Sequence, residues 1–151
     1  MSDLTIPAGL KEIPASCFYG CTGLSSLKVP ETIEKVQKSA FEDCTGIKEL
    51  TMPVDLDYVK TSYPSFYNCE NIEKITYTKG KTGIMPDIES GSASHCTAEY
   101  YAGEKLTTVE FEEGVKNIGA RAYQEYRNSG DLRNEYGMPK LKNIKLAATV
   151  K

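Results

Sequence analysis

The chain contains no tryptophan, a single histidine and no CxxC pair among its five cysteines. One histidine cannot build the multi-imidazole sets of catalytic zinc or iron centres. An odd cysteine count without paired spacing fits neither a disulfide framework nor a zinc site. No run approaches the roughly 18–20 apolar residues that span a bilayer, so no transmembrane segment is read. Met1-Ser2-Asp3-Leu4 shows no basic stretch leading into an apolar core, so no signal peptide is read there. Repeat-like sequence is already under way at Leu4, the expectation for a segment of a longer chain. Lys and Arg are scattered, and a net charge of -3 offers no field for a phosphate backbone. Nucleic acid is therefore not an expected partner. Asp55/Asp57 and Asp87/Glu89 lack the glycine and distal glutamate of a calcium loop. There is no glycine-rich phosphate cradle and no Asn-x-Ser/Thr acceptor, and no cofactor is expected.

What is present is a repeat. Leu27 and Leu50, Val29 and Met52, and Pro30 and Pro53 are each 23 residues apart, as are Ile13 and Val36, Phe18 and Phe41, and Cys21 and Cys44. One unit reads L-x-x-L-x-V-P-x-x-I-x-x-V-x-x-x-A-F-x-x-C-T-G. Six positions agreeing at one spacing specify a tandem architecture. Later units keep the pattern but lengthen. Leu50 to Ile75 is 25 residues, the excess falling in Lys60–Pro64 before Phe66 and Cys69 recover the register. Ile75 to Val109 is 34 and Val109 to Ile144 is 35. In the fifth unit Phe111, Val115, Ile118, Tyr123 and Tyr126 take the repeating positions. A single domain over 1–151 follows, with units at about 4–23, 24–46, 47–71, 72–105, 106–140 and 141–151.

In x-Leu27-x-Val29 alternate side chains point to opposite faces, as in a half-buried strand. Pro30 removes a ladder donor and ends it. Ala40-Phe41 followed by Cys44 has the spacing of one helical turn, and Thr45-Gly46 turns the chain back. No unit can bury its own apolar stripe, so copies must stack. Leu27, Leu50, Ile75, Val109 and Ile144 are expected in one interior column, and Val29, Met52, Tyr77, Phe111 and Leu146 in another. Full burial contributes roughly 1.5–3 kcal/mol per side chain, delivered mainly between neighbouring repeats.

With LxxLxVP, then a small residue plus Phe, then Cys, the chain resembles the BspA-type leucine-rich repeats of bacterial and protist surface proteins. The resemblance covers about residues 4–146 and is most specific in the first three units. Departures are the two long insertions, Thr78 and Glu112 where proline is usual, and Gly103 and Tyr126 where cysteine is usual. The resemblance implies a right-handed α/β solenoid with short parallel strands, joined by short helical or irregular turns. About five to six repeats are expected, with insertions in the fourth and fifth. It further implies an extracellular or cell-surface location, adhesion to or recognition of host or matrix proteins, and no catalytic residues.

Several residues invite a sharper reading. Cys21, Cys44 and Cys69 share one repeat position. Buried structural thiols, disulfides between neighbouring rungs about 4.8 Å apart, and metal or catalytic use are the alternatives, and inert thiols suit an apolar turn best. His95-Cys96 is the one adjacent base–nucleophile pair. Activation normally needs partners from separate segments, so the Gly91–Cys96 loop reads as an ordinary loop and enzymatic use ranks last. The outward strand positions form two columns. Ser26, Glu49, Lys74, Thr108 and Asn143 make one; Lys28, Thr51, Thr76, Glu110 and Lys145, preceded by Thr5, make the other. They form either a ladder of cross-strand pairs worth a few tenths of a kcal/mol each or a ligand-contacting surface.

The insertions are the second candidate. The first, between Ile84 and Tyr100, carries Met85, Pro86, His95 and Cys96. The second, Arg127–Gly137, carries Arg127, Arg133 and Tyr136. Per-repeat insertions emerge on one side and often bind partners, but they also serve as caps. The expected function is a non-catalytic protein-binding or adhesion module, with Lys28, Glu49, Thr51, Lys74, Thr76, Glu110, Arg127, Arg133 and Tyr136 as its candidate contacts. A spacer within a longer array is the alternative. Terminal repeats need polar caps, and Leu4 opens onto an interior column, so end-to-end self-association is a further expectation.

Overall fold

A computed structural model of the chain describes residues 3–58, 64–86, 105–118 and 142–150. Among the described residues there are nine short strands: β1 (Asp3–Thr5), β2 (Glu12–Ile13), β3 (Ser26–Lys28), β4 (Lys35–Val36), β5 (Glu49–Pro53), β6 (Asp57–Tyr58), β7 (Lys74–Thr78), β8 (Thr108–Phe111) and β9 (Asn143–Leu146). They form two parallel sheets. The larger has the order β1-β3-β5-β7-β8-β9 and the smaller β2-β4-β6. Each circuit of the chain contributes one strand to the large sheet, so every neighbour there is the next unit and the pairing is parallel.

Register follows the repeat. Leu4, Leu27, Leu50, Ile75, Val109 and Ile144 pair in succession across the large sheet. Met52, Tyr77, Phe111 and Leu146 do the same. From Leu27 to Val109 the first column is buried, as is the second from Val29 to Phe111. The last rung departs from the expectation. Ile144 is 49% and Leu146 56% exposed, although both are in register. A stacked core covers each rung from both sides, and the alignment of β9 with β8 provides only one of them. The expectation that Thr76 faces solvent is also corrected: it is 9% exposed, between Thr51 and Glu110 on the flanking strands.

In the smaller sheet β6 sets Tyr58 opposite Val36, one residue short of the 23-residue step. The excess of the third unit therefore falls at 59–63, outside the described residues. A single parallel bridge between Ile84 and Asn117 takes up the same position in the next two units.

In the first three circuits the third side is built from turns; among the described residues no α-helix forms. Residues 38–44 follow i, i+3 hydrogen bonds, Ala40 N–H to Gln37 C=O, Glu42 to Ser39 and Cys44 to Phe41. A ladder links these turns across units. Phe18 N–H donates to Ala40 C=O at 2.8 Å, Gly20 to Glu42 at 2.8 Å, Phe41 to Ser65 at 2.8 Å and Asp43 to Tyr67 at 3.0 Å. Phe18, Phe41 and Phe66 are thereby stacked, with ring centroids 5.2 and 5.1 Å apart and interplanar angles of 10° and 13°. Tyr77 and Phe111 stack in the same way at 5.2 Å under the large sheet.

Gly20, Asp43 and Asn68 occupy one position of this turn, and all three are left-handed, with φ of 68°, 60° and 61°. Glycine, asparagine and aspartate are the residues that tolerate this region. The irregularity that the sequence pattern leaves as "x" before each cysteine is thus a conformational requirement.

Candidate recognition surface

The polar face of the large sheet gathers the strand candidates. Register sets Ser26 beside Glu49, Glu49 beside Lys74 and Lys74 beside Thr108; one step along, Lys28, Thr51, Thr76, Glu110 and Lys145 form the second column. Adjacency is not pairing. Lys74 forms its ion pair diagonally, its ammonium 2.7 Å from Glu110 Oε2, although Glu49 lies directly opposite it. Lys145 holds the other oxygen of the same carboxylate. Glu110 is thus gripped by two ammonium groups on the strands either side of it.

Those hydrogen bonds, from Lys145 first and then Lys74, hold the Glu110 carboxyl below its ordinary range. Its folded value is depressed, so the favourable contribution is present above the normal carboxylate range. It is lost as pH falls through the depressed value. Exposed pairs of this kind contribute about 0–1 kcal/mol. Their main effect is to fix the side chains of the face.

A second such centre lies on the side of the small sheet. Glu34 pairs with Lys11 at 3.1 Å and Lys81 at 3.7 Å, and its carboxyl is likewise held low, mainly by the Lys11 hydrogen bond. Sequence reasoning did not find it. Lys11, Glu34 and Lys81 belong to three different units, and the 23-residue step aligns only the first two. Asp55 is a further polar organiser. Its carboxylate accepts Thr82 Oγ1–H at 2.7 Å and the backbone N–H of Lys81 at 3.3 Å, closing the turn at Gly80.

The three cysteines at the repeat position are free thiols on the inner side of the turn. Cys44 Sγ donates to Phe18 C=O at 3.0 Å, and Cys69 Sγ to Phe41 C=O at 3.1 Å. Each thiol therefore ties its own unit to the backbone of the preceding one. Burial pushes the Cys44 thiol up to about 11 and Cys69 up to about 12. Since the thiolate is the nucleophile, neither is reactive at neutral pH. Alkylation of the native protein at pH 8, read by mass spectrometry, is expected to modify exposed Cys17 while sparing Cys44 and Cys69. Modification of either at the Cys17 rate would contradict this placement.

Of the remaining candidates, Arg127, Arg133 and Tyr136, and likewise His95 and Cys96, lie outside the described residues. At the base of the first insertion Met85 is buried and Pro86 exposed. Among the described residues no three His, Cys, Asp or Glu side chains converge as a metal site would require, and no helix is long and apolar enough to cross a membrane.

Parallel strands stacked in register, an inner Leu/Val stripe and a Phe–Cys turn together make up a leucine-rich repeat. Residues 1–127 match the BspA type leucine rich repeat region, described as six copies. The chain belongs to the BspA-type leucine-rich repeat family. No curated protein and no solved structure matches it. In this BspA-type chain the family match stops ahead of β9, yet β9 extends the sheet in unbroken register. The Phe–Cys turn also joins neighbouring units through ring stacking, thiol and backbone together.

Proposed function

We propose that this chain is a non-catalytic protein-binding module of the adhesive kind, a right-handed solenoid displayed at the surface of a cell or secreted from it. The observation that carries the reading is the polar face of the six-stranded sheet. Glu49, Thr51, Lys74 and Glu110 stand there in two straight columns, with Thr76 covered between its neighbours and Lys74 and Lys145 already locked onto Glu110. Side chains fixed before binding lose less entropy on contact, so a pre-organised face binds at lower cost than a mobile one. Lys28, at the head of the second column, and Arg127, Arg133 and Tyr136 of the second insertion complete the proposed contact set.

The test is capture of the folded chain by a panel of matrix and epithelial surface proteins, repeated with Lys74→Glu, Arg133→Ala and Tyr136→Ala. Capture by at least one protein, weakened about tenfold or more by one of these changes, supports the reading; like charges brought together at an interface cost several kcal/mol. Parent-level capture by all three variants removes it. A spacer reading is favoured by one observation: the charges of Glu110 are already satisfied within the chain. It calls for no capture at all.

A further inference from the structure

The turn face of the solenoid carries a different arrangement. The ladder that aligns Phe18 with Phe41 and Phe66, and Gly20 with Asp43 and Asn68, places Tyr19, Glu42 and Tyr67 on three successive rungs. Phe18, Phe41 and Phe66 point inward, and the residue after each points out. Tyr19 is 54% and Tyr67 50% exposed. At about 4.8 Å per rung Tyr19 and Tyr67 are carried on rungs roughly 10 Å apart, with Glu42 on the rung between them. Isolated exposed tyrosines need no explanation. Two on one column of a rigid scaffold, flanking a carboxylate, are a built arrangement.

The electrostatics of this face are the reverse of those on the sheet. Among the described residues the ion pairs involve Glu34, Glu73 and Glu110. Glu42 and Asp43 have no cationic partner there. Asp43 instead accepts Asn68 Nδ2–H at 2.6 Å and a hydrogen bond from Tyr19, which hold it ionised and hold the tyrosine in place. The face therefore presents fixed negative charge beside aromatic surface, and among the described residues no ammonium or guanidinium pairs with it.

We propose that this turn face docks a protein partner through an arginine side chain, seated on the Tyr19–Glu42–Tyr67 column with Asp43 beside it. The proposal rests on the protein-binding reading above and names the partner's chemistry. A guanidinium is planar, stacks on tyrosine and donates to a carboxylate at its edge, which suits both components of the column. An ammonium makes only the charge contact. Tyrosine and arginine are also the residues on which interface energy concentrates.

The full chain is titrated with an acetylated, amidated tetra-arginine peptide and followed by amide chemical shifts. Saturable shifts at Tyr19, Glu42, Asp43 and Tyr67 are expected, with tetra-lysine weaker and tetra-glutamate inert. Tyr67→Ala and Glu42→Gln each weaken binding about two- to fivefold, while Tyr67→Phe, which keeps the ring, binds like the parent. Tyr67 is half-exposed and Glu42 partly exposed, and circular dichroism checks that both variants fold. Shifts spread over all acidic surfaces, or binding indifferent to Tyr67→Ala, would overturn the proposal. If arginine binding saturates at the column but no protein is captured, the adhesion reading fails alone. If a protein is captured with equal strength by the parent and Tyr67→Ala, this proposal fails alone.

Discussion

Phe41→Ala should destabilise the protein by about 3–5 kcal/mol, the range for truncating a fully buried aromatic. The ring is completely enclosed, and both of its faces are in contact with another ring, Phe18 at 5.2 Å and Phe66 at 5.1 Å. Its removal deletes two stacking contacts, each worth about 0.5–1.5 kcal/mol beyond area. It also opens a void that the turns cannot close, because the Phe41 N–H remains tied to Ser65 C=O and the Phe41 C=O still accepts Cys69 Sγ–H. Phe18→Ala should cost less. Phe18 is only half-buried and has one ring neighbour in the column. Urea unfolding followed by circular dichroism makes the comparison, since there is no tryptophan to report. A loss below about 1 kcal/mol for Phe41→Ala, against the 3–5 kcal/mol of an enclosed ring, would mean that the column is not a cooperative unit.

The position of Phe41 could be read from spacing alone, and so could much of the fold. Six positions agreeing at one interval placed Leu27 over Leu50 and Phe18 over Phe41; the sheet pairs the leucines and the turns stack the rings. Recovery of the register at Phe66 and Cys69 after a longer third unit was also legible, because an apolar pair three residues apart survives any insertion upstream of it. Periodicity says which way a side chain points from its own rung. It does not say whether another rung covers it, which is why Ile144 and Leu146 were expected inside and are exposed.

Charge shows the same limit. Glu49 and Lys74 could be placed side by side from the sequence, yet Lys74 turns to Glu110 because two ammonium groups converge on that carboxylate. The choice between a direct and a diagonal partner depends on side-chain reach, which spacing does not encode. The Cys-position turn is a third case. Gly20, Asp43 and Asn68 are chemically unlike one another, so a search for similarity passes over them. What they share is tolerance of positive φ, and only a search by backbone preference would have joined them. That turn supplies the arginine-docking column as well, so the function proposed for it was hidden for the same reason.

Gly46→Ala is expected to cost about 3 kcal/mol, the upper part of the range for overpacking a close-packed site. A Cβ there would stand 2.1 Å from Thr22 C=O and 2.5 Å from Leu24 C=O. Both obstacles are backbone atoms of the preceding turn, so no side chain can swing aside to make room. Relief requires residues 46–48 to move away from the previous turn. That motion strains the Lys48 N–H to Ser25 C=O bond of 2.9 Å, which leads the chain into β5 beside β3. Gly20→Ala provides the contrast. Nothing lies within 4 Å of its Cβ, but its φ is +68°, so its cost is conformational alone, about 1–2 kcal/mol. Gly9→Ala meets neither obstacle and should be close to neutral. The three variants separate contact from conformation in one urea series. If Gly46→Ala proved no more damaging than Gly20→Ala, successive units would have slack between them. The tight inter-unit approach on which the stacked thiols, rings and docking column all depend would then be wrong.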